Sequence, residues 1–148
     1  MSEEPVTARS RVLVAVDGSR SSKAALRWAL EYTERTGGGL TAVYVWTYPA
    51  EFSYGLTPPG EAWHPDTDAQ QALDAAVREV VGEQRPPSLE TVVCEGHPAQ
   101  VLVERSAGAE MLVMGSRGHG GFAGMLLGSV SEACVAHAHC PVLIIREK

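Results

Sequence analysis

Short apolar runs alternate along this chain with longer amphipathic stretches. The apolar runs are Arg11 to Val16, Leu40 to Trp46, Leu89 to Cys94, Glu110 to Met114 and Pro141 to Arg146. Near-continuous apolarity, rather than strict alternation, fits strands buried on both faces. Between the first two, Ser19 to about Thr36 places Ala25, Trp28, Ala29 and Tyr32 on one helical face. Asp68 to about Glu83 does the same with Ala69, Leu73, Ala76, Val77 and Val80. Shorter helices are predicted over Ala99–Ala107 and Gly128–His137. Gly37-Gly38-Gly39 stops the first helix and Arg85-Pro86-Pro87 the second.

Strand and helix alternate throughout, which predicts an α/β protein with a parallel sheet and helices on both faces. Right-handed crossovers leave few topologies, and we expect a doubly wound five-stranded sheet in the order 3-2-1-4-5. The domain is expected to run from residue 11 to 148, after a flexible tail over residues 1–10. One stretch breaks the rhythm. Thr47 to Thr67 carries Pro49, Pro58, Pro59 and Pro65. At about 20 residues it exceeds the usual connection, so it is either functional or loosely ordered.

Size and charge narrow the function. The 148 residues suffice for one core, and the net charge of -6 argues against a nucleic-acid or anionic-membrane binder. No run of about 18 apolar residues marks a membrane span, and the polar N-terminus is unlike a signal peptide. Cys94, Cys134 and Cys140 have no metal-ligand spacing and are expected to be buried reduced thiols, which fits a cytoplasmic protein.

The densest chemistry lies at Gly115-Ser116-Arg117-Gly118, nine residues before Gly128-Ser129. The segment follows an apolar strand and opens a helix. Glycines let backbone N–H groups approach an anion, and the first amides of a helix point at it without intrahelical partners. Ser129 is placed to cap the helix or bond a phosphate oxygen. In the expected topology the winding reverses between the first and fourth strands. Asp17-Gly18-Ser19 and Gly115 then meet at one crevice, which predicts a nucleotide-binding domain. The alternatives are a plain flexible loop over Gly115–Gly128, a helix-capping role for Asp17 and a solvated charge at Arg117.

Together, Val14-Ala15-Val16-Asp17-Gly18-Ser19, Val113 to Gly118, Gly128-Ser129 and Cys140 to Ile145 resemble the universal stress protein family. The resemblance covers Val12 to Arg146, and the complete Gly-x2-Gly-x9-Gly-Ser spacing is similar to that of its ATP-binding branch. It implies a nucleotide-dependent stress regulator or sensor that holds ATP, ADP or AMP with Mg²⁺. By the same resemblance Gly115, Gly118, Gly128 and Ser129 hold phosphate, and Asp17 sits near the ribose and metal. The backbone of Val45 reads the adenine edge, with Ser19 and Arg117 beside the phosphates.

Other motifs fit less well. Gly118-x-Gly120-x3-Gly124 imitates a dinucleotide fingerprint but leaves too little chain after it, and no P-loop occurs. His137-x-His139-Cys140 lacks a second ligand pair for a metal. His119 and His97 lie near the binding end, as loop or turn residues. No nucleophile–base pair is evident, so no catalytic residue is assigned. A weak ATPase or phosphotransferase, or an interaction module without nucleotide, remain the alternatives. The apolar fifth strand, Pro141–Arg146, forms a sheet edge that invites pairing, which predicts a homodimer. The Thr47–Thr67 stretch, with Tyr48, Phe52, Tyr54 and Trp63, is either a lid over the nucleotide or a surface loop.

Overall fold

The computed structural model describes residues 11–47, 64–117 and 127–146. The expected tail over residues 1–10, most of the proposed lid with its four aromatics, and Gly118, His119 and the Gly118–Gly124 motif lie outside the described residues.

Five strands and four helices alternate among the described residues: β1 (Arg11–Ala15), α1 (Arg20–Thr36), β2 (Gly39–Trp46), α2 (Pro65–Val81), β3 (Leu89–Glu95), α3 (Pro98–Ser106), β4 (Met111–Gly115), α4 (Ser129–His137) and β5 (Val142–Ile145). They form one parallel sheet in the order β3-β2-β1-β4-β5. This is the expected doubly wound α/β topology. β1 is central, in register with Gly39–Val43 on one side and Met111–Val113 on the other.

Strand alternation sorts the core into two layers. Val12, Val14 and Val16 face one side and pack with Ala25, Leu26 and Ala29 of α1 and Leu73, Ala76 and Val77 of α2. Leu13, on the other side, joins Val43, Leu102 of α3, Leu112, Met114 and Cys134 of α4. The predicted helix faces are the buried ones, although Trp28 and Tyr32 are only half-buried and stack on each other with ring centroids 5.1 Å apart. Each full burial of an aliphatic side chain here stabilises the fold by roughly 1.5–3 kcal/mol before chain entropy is counted.

Some boundaries differ from expectation. α2 begins at Pro65, read above as a loop residue, because proline is favoured in the first turn, where its missing N–H costs nothing. It ends at Val81, with Gly82 as its C-cap, ahead of the two prolines. Asp17 does not cap α1; Ser19 does, its hydroxyl accepting from the Ser22 N–H at 3.2 Å. Gly115 is the last residue of β4 rather than the first of a loop. Only Cys134 is buried, while Cys94 and Cys140 are half-exposed around the same apolar layer. Burial, and then the neighbouring Cys140, push the Cys134 thiol up to about 11.

Candidate functional site

The carboxyl ends of β1 and β4 lie side by side, since Val14 pairs with Val113. Asp17 leaves β1 and turns back at once. Its Oδ1 accepts from the Ser19 N–H at 2.9 Å, and its own N–H donates to the Ser22 hydroxyl at 3.2 Å. Gly18 makes this turn possible with φ of 85°, a conformation that strains any residue with a Cβ. The turn holds the half-buried Asp17 at the carboxyl end of β1, near enough to the half-buried Tyr44 of β2 for its charge to be felt there. Burial first, and then the Asp17 charge, raise the Tyr44 phenol above its ordinary value.

Gly115 closes the floor of the crevice between two helix starts. On one side α1 presses against it, and a Cβ there would lie 2.6 Å from the Ser21 carbonyl carbon and 2.8 Å from its Cβ. On the other side the buried Ser131 hydroxyl of α4 donates to the Gly115 carbonyl at 2.8 Å. Close packing of α1 thus already demands glycine here. Arg117 N–H reaches the Ser21 hydroxyl at 3.5 Å, and the Arg117 side chain is exposed. Ser116 bridges strand and helix: its N–H donates to the Ile145 carbonyl at 3.0 Å, and its carbonyl accepts from the Gly128 N–H at 2.8 Å.

That last bond ties the start of α4 to the end of β4. Gly128 is the N-cap and offers no side-chain cap. Ser129 is therefore the first helical residue, exposed and not a cap, contrary to one of its two expected roles. The orphaned first-turn amides of α4 open at the carboxyl end of β4, with the positive end of the helix dipole.

Val45 enters from the third strand of the crevice. The last bond between β1 and β2 runs from the Val16 N–H to the Val43 carbonyl at 2.9 Å. Val45 continues β2 two residues beyond, so its N–H and C=O face the β1 side, where β1 has already ended. Trp46 faces the opposite way, its carbonyl accepting from the Gly96 N–H at 2.9 Å. Asp17, Ser19, Val45, Gly115, Arg117, Gly128 and Ser129 thus all lie at the carboxyl end of the sheet, where ligands bind in open α/β folds. His97 begins α3 at the end of β3, outside the β1–β4 crevice.

Four residues of this region were not singled out from sequence: Ser21, Ser22, Ser131 and Tyr44. A hydroxyl-rich run, Ser19-Arg20-Ser21-Ser22, was the one visible signal. Among the described residues no group of three or more His, Cys, Asp or Glu is placed to share a metal ion. His139 instead donates its backbone N–H to the Ser106 hydroxyl at 2.8 Å. No described helix is long and apolar enough to cross a membrane.

Comparison with known proteins agrees with this architecture. The model of the universal stress protein family matches residues 8–146. Universal stress protein Rv2623 of Mycobacterium tuberculosis is 37% identical over 145 residues, which are 97% of this chain and 47% of that protein. The chain therefore spans about half the length of the curated relatives it matches. Universal stress protein UspA from Lactobacillus plantarum superposes with a TM-score of 0.75 at 25% identity, covering 93% of this chain and 98% of that one. A universal stress protein solved in complex with cAMP gives a TM-score of 0.66 at 25% identity over 93% of this chain and 97% of that one. The chain belongs to the universal stress protein family.

Proposed function

We propose that this protein binds an adenine nucleotide, ATP first among them, in the crevice between β1 and β4, and acts as a nucleotide-dependent stress regulator in the cytoplasm. The observation that carries the reading is the junction of three chain segments at Gly115. Ser131 of α4 bonds the Gly115 carbonyl, the Arg117 N–H reaches Ser21 of α1, and the neighbouring Ser22 bonds the Asp17 N–H, so the Asp17 turn and the first turns of α1 and α4 gather at the carboxyl ends of β1 and β4. Backbone amides recognise phosphate without a basic surface, which suits a chain of net charge -6. The neighbour solved in complex with cAMP supports an adenine ligand for this fold.

In this reading the start of α4, with Gly128 and Ser129, takes the phosphates, together with Gly118 from outside the described residues. The Arg117 side chain and Ser19 flank them. Asp17 contacts the ribose, and the Val45 backbone hydrogen-bonds the adenine edge. The residues fit Mg²⁺ only as an ion carried by the nucleotide: Asp17 supplies one carboxylate, and phosphate and water would supply the other ligands. A homodimer forms through β5, an edge strand whose four apolar residues are half-exposed.

The test is to denature freshly purified protein and identify any released nucleotide by chromatography and mass, then to titrate stripped protein with ATP. Recovered adenine nucleotide, or saturable binding, is the expected result. ATP consumed at a rate that Asp17→Ala abolishes would replace the regulator by an ATPase or phosphotransferase. Neither nucleotide nor binding would leave an interaction module.

A further inference from the structure

We propose that the stacked pair Trp28–Tyr32 on α1 is the second contact surface of the homodimer, meeting the same pair of another copy beside the β5 edge. The inference rests on the β5 dimer reading above and deepens it. Helical spacing sorts α1 into two flanks. Lys23 marks one, its ammonium bonding the Glu79 carboxylate of α2 at 2.8 Å. Ser21, Trp28 and Tyr32 share the other. Ser21 presses on Gly115 at the carboxyl end of β4, and the Tyr32 hydroxyl donates to the Glu110 carboxylate, just ahead of β4, at 2.8 Å. This flank therefore runs the length of β4 and looks toward β5, away from α2. Among the described residues no strand lies beyond β5. Trp28 and Tyr32, their rings near-parallel at 12°, are half-buried, as are Leu143 and Ile145, the β5 residues on the same face of the sheet.

Size says why β5 does not act alone. It has 4 residues, an edge about 13 Å long. A stable dimer buries about 1,200–2,000 Å² in total. Strand pairing over that length falls short, so the interface must extend onto surface continuous with β5. Two β5 edges paired antiparallel are related by a twofold axis normal to the sheet, which leaves both α1 helices on one side. The two aromatic strips then face each other. Trp and Tyr are the residue types that carry most energy in such contacts. The bond to Glu110 also holds Tyr32 in place before association, which lowers the ordering cost.

The experiment follows association of the full chain by sedimentation, for wild type, Trp28→Ala and Leu30→Ala. Leu30 packs on the same apolar layer from the α2 flank of α1 and controls for lost packing. The expected dissociation constant is about tenfold higher in Trp28→Ala and within about twofold of wild type in Leu30→Ala. A second measurement leaves Trp28 unchanged. With Trp46→Phe and Trp63→Phe it is the sole tryptophan, and its emission should move to shorter wavelength as the dimer forms. Unchanged association in Trp28→Ala, equal weakening in both variants, or Trp28 emission that stays constant through dimerisation would overturn the proposal. Wild-type chain that stays monomeric throughout would instead overturn the β5 dimer reading beneath it, and the proposal with it.

Discussion

The Ser131 hydroxyl on α4 donates to the Gly115 carbonyl on β4 at 2.8 Å, so the helix that follows the glycine segment is bolted to the strand that precedes it. Both residues are buried, and a bond between them fixes where the first-turn amides of α4 point. With α1 pressed on its other side, Gly115 has no room to adjust.

Gly115→Ala should therefore destabilise the protein by about 1–3 kcal/mol, through overpacking against the Ser21 backbone. Chemical denaturation measures this directly. ATP affinity should fall as well, because α1 must move off the crevice floor. A variant as stable as wild type would show that α1 yields without cost.

Asp17 has two separable roles. Asp17→Asn keeps an acceptor for the Ser19 N–H and removes the charge; Asp17→Ala removes both. We expect the alanine variant to be less stable than the asparagine variant by about 1 kcal/mol, the worth of the bond to the Ser19 N–H. Both should bind Mg·ATP more weakly. Wild-type affinity in Asp17→Asn would place the carboxylate away from the ligand.

Much of the fold was legible because buried parallel strands and amphipathic helices write their periods into the chain. Val12, Val14 and Val16 on one face and Leu13 on the other follow from alternation alone. The misread features were those set by tertiary context or by position within a turn. Pro65 reads as a breaker until its place at a helix start is known. The capping role left open for Asp17 falls instead to the extended Ser19, one step before the helix. The Gly115 motif was visible, yet its reason was not: contact with Ser21 joins residues far apart in sequence, and no local pattern encodes it.

Cys134 predicts an alkaline dependence of stability. Its thiol ionises near 9.0 when free and is pushed up to about 11 by burial in the folded protein. Above the free value the unfolded chain releases a proton that the folded chain retains, so the unfolded state gains. Stability should thus be fully present below about 9 and decline toward about 11. Denaturant titrations across that range should show the decline, and Cys134→Ala should flatten it. An equal slope in the variant would assign the loss to other groups.

The β5 edge gives a test of the dimer that spares the fold. Pro141 and Ile145 give their carbonyls to the N–H groups of Leu112 and Ser116, so Val142 and Ile144 point theirs outward. Proline is tolerated on the free side of an edge strand but cannot donate to a partner. Ile144→Pro should convert a dimer to a monomer in sedimentation velocity, with the circular dichroism spectrum retained. A folded dimeric variant would move the interface away from β5.

The central claim is that the crevice at Gly115 holds ATP. The most direct measurement is a titration of nucleotide-free protein with Mg·ATP that follows melting temperature and released phosphate together. Binding to the native state alone raises apparent stability, by about 2.7 kcal/mol at a hundredfold excess over the dissociation constant. The account predicts a saturable upward shift, lost in Gly115→Ala, with no phosphate released. A melting temperature that stays constant at millimolar ATP would contradict it.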